Sequence, residues 1–275
     1  MRKCMFLILL PLLAFSQPPF SPLGMGFLEM GWRYSGWNPA ALKAVAFDGP
    51  VFSFSYMSDL EALEFSDLKM GYQSVEGELA GELIFRRMGY SGKSVFSLDY
   101  TVAGENGDYF WGGSLGVYHE EDWESTLTRY GLRVGMGIIG NSGDLRVALA
   151  IKDVVIYSSD PAEFATGEVG MAMGLVSEKF ALHAGVVTSS FKIYDIYAGV
   201  AMGMQPIFLG ISFGYTTDLR DWNYHFGSGL LWQGKGFLLA AGFDISQSPI
   251  PFGDIPPLPY RFTISIKLPI GGESE

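Results

Sequence analysis

The chain has 275 residues, of which 48% are hydrophobic and 17% charged, with 36 glycines and a formal net charge of -11. This composition favours an all-β protein over a helical one, and such an acidic balance argues against nucleic acid as a partner. After residue 16 no uninterrupted apolar run is long enough for a transmembrane helix. The apolar residues therefore either fill a soluble β-sandwich or face lipid on alternate positions of a barrel.

The first 16 residues have the features of a secretory signal peptide. Arg2 and Lys3 precede an apolar run over residues 5–15, and Ser16 supplies a small residue where cleavage is expected. Cys4 is the only cysteine of the chain and lies in this segment. The mature protein is therefore expected to contain no thiol and no disulfide.

The lead-in over residues 17–50 is rich in glycine, proline and aromatic residues and has no clean period. It predicts an irregular or partly helical segment rather than a pair of strands.

From Val51 onward, apolar and polar residues alternate with the period of two that gives a β-strand two different faces. The last segment is the clearest example, with Ile264 on an apolar face and Lys267 on a polar one. We predict about fourteen strands, or twelve if one hairpin is miscounted. They are Val51–Ser58, Asp67–Ser74, Glu78–Arg87, Ser94–Ala103, Tyr109–His119, Thr126–Ile139, Asp144–Asp153, Glu168–Val176, Lys179–Thr188, Lys192–Gly203, Pro206–Thr216, Trp222–Gln233, Gly236–Ser246 and Pro259–Leu268.

The connections support a barrel over a sandwich. Those after even-numbered strands are short and turn-like, whereas those after odd-numbered strands include the longest ones, such as residues 154–167 and 247–258. Short turns on the side of the termini and longer loops opposite are typical of outer-membrane barrels. The last predicted strand is expected to close the barrel against the first, which would remove both sheet edges.

The lead-in also carries a family resemblance. Leu23-Gly24-Met25-Gly26, then Trp37-Asn38-Pro39-Ala40-Ala41-Leu42, then a first strand ending in Phe54-Ser55-Tyr56, resembles the opening of the FadL-type fatty-acid transporters and of the PorV and PorQ proteins of the type IX secretion system. The resemblance implies a fourteen-stranded barrel whose N-terminal segment folds into the lumen as a plug. The residues it assigns to the plug motif are Gly24, Gly26, Asn38, Pro39 and Ala40.

The motif also has a physical interpretation. Pro39 restricts Asn38 to extended geometry, and an asparagine side chain can satisfy loose backbone groups. Two features depart from the family: Ala41 replaces the usual glycine, and the loops are far shorter than those of a fatty-acid transporter. These departures weigh against fatty-acid transport more than against the barrel.

Seven charged residues fall on the predicted lumen face of their strands. We expect them to pair with one another or with the plug, because a charge that faces lipid at mid-depth costs about 2–4 kcal/mol. The seven are Asp99, Arg133, Arg146, Lys152, Asp244, Arg261 and Lys267.

The sequence gives little support for an enzyme or a metal protein. His119, His183 and His225 lie singly in separate strands, without a second ligand at metal spacing. His183 and Ser189 could form part of a hydrolase site, but neither a nucleophile elbow nor a third member is recognisable. We therefore predict no catalytic residues, no metal and no cofactor.

The expected organisation is a signal peptide (1–16), a plug or lead-in (17–50), a transmembrane barrel (51–269) and a periplasmic tail (270–275), placed in a bacterial outer membrane. The main hypothesis is a PorV/PorQ-like barrel that handles secreted proteins at the cell surface. The alternative is a FadL-like plugged channel that takes up a hydrophobic small molecule. The expected partners are outer-membrane lipid and either secreted proteins or that small molecule.

Overall fold

The structure is a computed structural model that describes residues 38–44, 50–59, 66–90, 92–122, 127–160, 167–176, 180–189, 193–204, 207–217, 222–234, 237–246 and 260–269. The predicted signal peptide, the predicted tail, and Gly24 and Gly26 of the plug motif lie outside these residues.

The described residues form fourteen antiparallel strands that close into one barrel, in which each strand pairs with its neighbours in the sequence and the last pairs with the first. This confirms the predicted fold and strand number. The strands are β1 (Val51–Asp59), β2 (Ser66–Glu76), β3 (Leu79–Tyr90), β4 (Lys93–Asn106), β5 (Tyr109–Asp122), β6 (Leu127–Ser142), β7 (Leu145–Ser158), β8 (Glu168–Val176), β9 (Phe180–Ser189), β10 (Ile193–Met204), β11 (Ile207–Thr217), β12 (Trp222–Gly234), β13 (Phe237–Ser246) and β14 (Tyr260–Pro269). One short helix precedes them, α1 (Ala41–Ala44).

Strand β14 closes the barrel. It pairs with β1 from Val51 opposite Pro269 to Asp59 opposite Arg261, and on its other side with β13. Closure leaves neither of these strands with an unpaired edge, which is how a sheet avoids pairing with other chains. No described helix has the length and apolar character needed to span a bilayer.

The barrel is apolar outside and polar inside. In β4, Leu98 and Tyr100 are exposed on the outer surface, whereas the inward-facing Ser97 is only 5% exposed. In β14, Ile264 is 39% exposed and Lys267 only 4%. Because successive side chains of a strand alternate between faces, strands such as β4 and β14 present hydrocarbon outward and polar groups to the lumen.

The two rims of the barrel differ. We call the rim at which β1 begins and β14 ends the terminal rim, and the opposite one the loop rim. Connections at the terminal rim are two or three residues long, whereas those at the loop rim reach nine residues (159–167) and thirteen residues (247–259). Three terminal-rim turns place Gly77, Gly107 and Gly143 at positive φ, a conformation that glycine adopts without steric cost.

Strand β7 is longer than predicted. It was expected to end at Asp153, with a loop from Val154, but it continues to Ser158. The register between β6 and β7 shifts at this point, and Asp153 has a φ of 52°. Such a bulge interrupts the alternation, which is why pattern reading ended the strand early.

The bulge allows a test of backbone strain at Asp153. Asp153→Val should lower the free energy of unfolding by about 1–2 kcal/mol more than Asp153→Asn, because asparagine tolerates the left-handed conformation and a β-branched residue does not. Both variants remove the charge, and the difference between their urea midpoints reports the backbone cost together with the loss of an oxygen that can accept from Arg133 and Lys152. Equal urea midpoints for the two variants would contradict backbone strain at Asp153.

Candidate functional site in the barrel lumen

A short segment of the lead-in lies inside the barrel, close to the terminal rim. We call Asn38–Leu42 the plug tip; all five of its residues are buried. The Asn38 side chain accepts a hydrogen bond from the Ala40 backbone N–H at 2.9 Å, and its Nδ2 donates to the Ile138 and Leu149 carbonyls at 3.5 Å. The asparagine therefore closes a turn in the tip and links it to the wall, as its place before a proline suggested.

The helix that follows the turn rests on the wall of the barrel. Leu42 is fully buried against Ala80 and Ala103, with Val75 packed beside them. Lys43 donates a hydrogen bond from Nζ to the Gly77 carbonyl at 2.9 Å, in a turn of the terminal rim. These contacts place α1 at the terminal end of the lumen.

Beyond the plug tip, toward the loop rim, ion pairs between nearby strands line the wall of the lumen. Arg133 donates from Nε to Asp99 Oδ1 at 3.0 Å and from Nη2 to Asp99 Oδ2 and Ser97 Oγ at 2.8 Å. Its Nε also lies 3.3 Å from an oxygen of Asp153, which pairs with Lys152 at 3.3 Å. Arg133 thus neutralises carboxylates from two different strands.

A second group of ion pairs lies on the neighbouring strands. Arg86 makes a two-pronged pair with Asp67 at 2.9 and 3.0 Å, and Lys69 lies 3.9 Å from the same carboxylate. Nearer the terminal rim, Lys267 lies 3.9 Å from Glu82. The two-pronged pairs of Arg86 with Asp67 and of Arg133 with Asp99 match the geometry of a carboxylate, and they are stronger than the lysine pairs.

A cavity of about 100 Å³ lies between the plug tip and these ion pairs. It is bounded by the tip residues Asn38, Pro39 and Leu42 and by a mostly polar wall. The polar residues of that wall are Ser53, Ser55, Lys69, Glu82, Arg86, Asp99, Thr101, Ser114, Arg133, Lys152, Asp153 and Lys267. A polar space of this size accommodates several water molecules, whereas a cavity that takes up benzene is apolar and has about 150 Å³.

Four of the seven charges expected in the lumen line this cavity: Asp99, Arg133, Lys152 and Lys267. Arg146 is the second residue of β7, at the terminal rim; it is half-buried and lies outside the cavity. Asp244 and Arg261 are directly opposite each other in the ladder between β13 and β14, but their side chains are outside the described part. For these last two, a lumen position stays a prediction.

Five further charged residues of this region were not predicted from the sequence: Asp67, Lys69, Glu82, Arg86 and Asp153. The first four alternate with outward-facing residues such as Met70 and Leu83, so the same period of two could have identified them. Asp153 follows Lys152 directly and could not have been found in this way, because two consecutive residues face the lumen only where a strand bulges.

The histidines do not form a common site. His119 lies 3.0 Å from Glu121 at the loop-rim end of β5, and His183 is buried beside the ring of Tyr197. The side chain of His225 is outside the described residues. Among those residues, no three potential ligands are grouped as a metal site requires.

With this geometry in view, the chain can be compared with known proteins. Neither a protein-family model nor a curated protein matches its sequence. Its fold is similar to the CymD monoaromatic hydrocarbon channel, with a TM-score of 0.63, 9% identity, and coverage of 86% of this chain and 92% of that one. It is also similar to the toluene transporter TodX of Pseudomonas putida, with a TM-score of 0.61, 7% identity, and coverage of 93% and 97%. The chain shares its fold with these channels.

A third structure is more distant. A bacterial polysaccharide outer membrane secretin gives a TM-score of 0.51 at 8% identity, with 82% of this chain and all of that one covered. At these identities the similarities establish the architecture alone. They support the FadL-like part of the resemblance at the level of the fold, and they do not support its PorV and PorQ part.

Proposed function

We propose that this protein is a plugged outer-membrane channel for the uptake of a hydrophobic small molecule. This is the alternative of the two functions considered from the sequence, and the observation that carries it is the likeness to two hydrocarbon channels over most of both chains. The plug motif resembles the opening of both the FadL-type transporters and the PorV and PorQ proteins, so it does not discriminate between the two functions.

The proposal includes the route of the chain to the membrane. Residues 1–16 would direct export and be removed, residues 51–269 would span the outer membrane, and residues 17–50 would contribute the plug. Residues 270–275 would remain in the periplasm. The exposed outer surface favours this placement, since Leu98, Tyr100 and Ile264 would contact lipid.

The size and polarity of the cavity constrain transport. A space of about 100 Å³ lined by charges is smaller and more polar than a site that takes up an aromatic hydrocarbon. Because Asn38, Pro39 and Leu42 bound this space, movement of the plug tip would enlarge it for a ring-sized solute. We expect transport to depend on displacement of the plug and not on diffusion through a standing pore.

Uptake of labelled toluene tests the proposal. Cells of a Gram-negative host that produce the protein should accumulate toluene severalfold faster than cells with an empty vector, while glycerol uptake remains the same. Lipid or hydrocarbon extracted from the purified barrel would provide independent support. Equal toluene uptake, together with recovery of a secreted protein on the purified barrel, would favour the PorV/PorQ-like function instead.

A further inference from the structure

Two glycines of the barrel wall face each other beneath the plug tip. Gly112 of β5 and Gly137 of β6 are directly opposite in the ladder between these strands. Both lie on the lumen side, in line with Ser114 and Arg133, which line the cavity. Together they make a two-residue patch of wall without side chains, which we call the plug seat.

The plug tip fills the space that side chains would occupy on this seat. A Cβ atom added to Gly112 would overlap the Pro39 carbonyl carbon and lie 2.6 Å from both the Pro39 oxygen and the Ala40 nitrogen. A Cβ added to Gly137 would overlap Oδ1 of Asn38 and lie 2.8 Å from its Cγ. Distances below 3.0 Å are essentially never observed for real Cβ atoms. An alanine at Gly112 therefore requires the backbone of the tip to move, and an alanine at Gly137 requires the Asn38 side chain, which closes the turn of the tip, to move.

Apart from Leu42, which packs on Ala80 and Ala103, the described contacts of the plug tip with the wall are weak. The tip has no charged side chain, and the two hydrogen bonds from Asn38 to the wall are both 3.5 Å long, at the upper limit for such bonds. Close packing on a flat surface is the stronger contribution, since van der Waals attraction falls steeply as surfaces separate. The seat therefore determines how well the turn is held.

We propose that the opposed pair Gly112 and Gly137 holds the plug tip in its closed position, and that a single methyl group at either residue displaces the tip and opens the lumen to small ions. The inference concerns closure and does not depend on which solute the barrel carries. If toluene uptake is not observed, the inference about closure still stands. If the conductance of the glycine variants is unchanged, the uptake proposal still stands.

Conductance of the purified barrel in a planar lipid bilayer tests the seat. Gly112→Ala and Gly137→Ala should each raise the mean conductance about tenfold or more over the unmodified protein. Gly113→Ala is the matched control, because it makes the same change one residue away, where the nearest atom to an added Cβ is the Gly135 carbonyl oxygen at 3.8 Å. The control should conduct like the unmodified protein.

A disulfide between α1 and the barrel wall tests whether a leak arises from movement of the plug tip. Leu42 packs on Ala103, so cysteines at these two positions should tie α1 to β4. The oxidised pair should hold Asn38→Ala at the low conductance of the unmodified barrel, and reduction should restore the leak. A leak that persists with the disulfide formed would overturn the proposal.

The remaining outcomes are equally decisive. Folded Gly112→Ala and Gly137→Ala barrels with unchanged conductance would overturn the proposal, as would a Gly113→Ala barrel that leaks as strongly. If neither glycine variant assembles, Asn38→Ala is the deciding variant, since it weakens the tip without adding bulk to the wall. A rise in its conductance would support the seat, and a value like that of the unmodified protein would contradict it.

Discussion

Replacing Arg133 by methionine is expected to lower the free energy of unfolding by about 1.5–3 kcal/mol, because it removes a nearly buried guanidinium from the partly exposed carboxylates of Asp99 and Asp153. Arg133 is bound at 2.8–3.0 Å by Asp99 and lies 3.3 Å from Asp153. Without it, the two carboxylates lose their shared cation, and among the described residues Lys152 stays paired with Asp153. The urea midpoint, followed by the loss of the heat-modifiable band on a gel, measures the change.

Arg129→Met is the matched control for Arg133→Met. Arg129 belongs to the same strand but pairs nearer the loop rim with Glu120 at 3.8 Å and Asp160 at 3.3 Å, and about a third of its side chain is exposed. Exposed pairs of this kind contribute up to about 1 kcal/mol. Equal losses for the two arginines would show that Arg133 has no special role. Adding Asp99→Asn and Asp153→Asn to Arg133→Met should recover most of its loss.

Ile264→Lys is expected to reduce the amount of assembled barrel about tenfold or more, since a lysine that faces mid-membrane lipid costs about 2–4 kcal/mol. Ile264 is exposed on the outer surface of β14, where its neighbours in the ladder are Tyr56 and Ala241. A defect here affects closure, because β14 joins the first strand to the last. Heat-modifiable protein in the outer-membrane fraction is the quantity to measure.

Two controls accompany the Ile264 variant. Ile264→Leu keeps the apolar surface and should assemble normally. Deletion of residues 271–275 removes the acidic tail beyond β14 and should have no effect on assembly either. Normal membrane levels of Ile264→Lys would mean that the two faces of β14 have been assigned in reverse.

The fold was largely predictable because its signal is local. Alternation of apolar and polar residues identified all fourteen strands, and most ends were correct within three residues. The main error was β7, where the bulge at Asp153 interrupts the alternation although the strand continues to Ser158. A pattern with a fixed period cannot register an inserted residue, so it ended the strand where the period broke.

The candidate site was only partly predictable. Asp99 and Arg133 were placed on the lumen face by alternation, but their pairing joins residues 34 positions apart and depends on the register of β4, β5 and β6. Gly116 between them shows the same dependence: an added Cβ would overlap Asp99 and lie 3.1 Å from Arg133. The sequence shows a glycine at position 116, but it does not show which groups that glycine accommodates.

The sequence by itself determined that this chain is a β-barrel with an apolar exterior and a polar lumen, because the two faces of a strand follow from the order of its residues. Only the tertiary structure decided what fills that lumen. The seat of the plug tip on Gly112 and Gly137, and the meeting of Arg133 with carboxylates from two other strands, arise from contacts between distant segments. Such contacts depend on register and barrel closure, which no local period encodes.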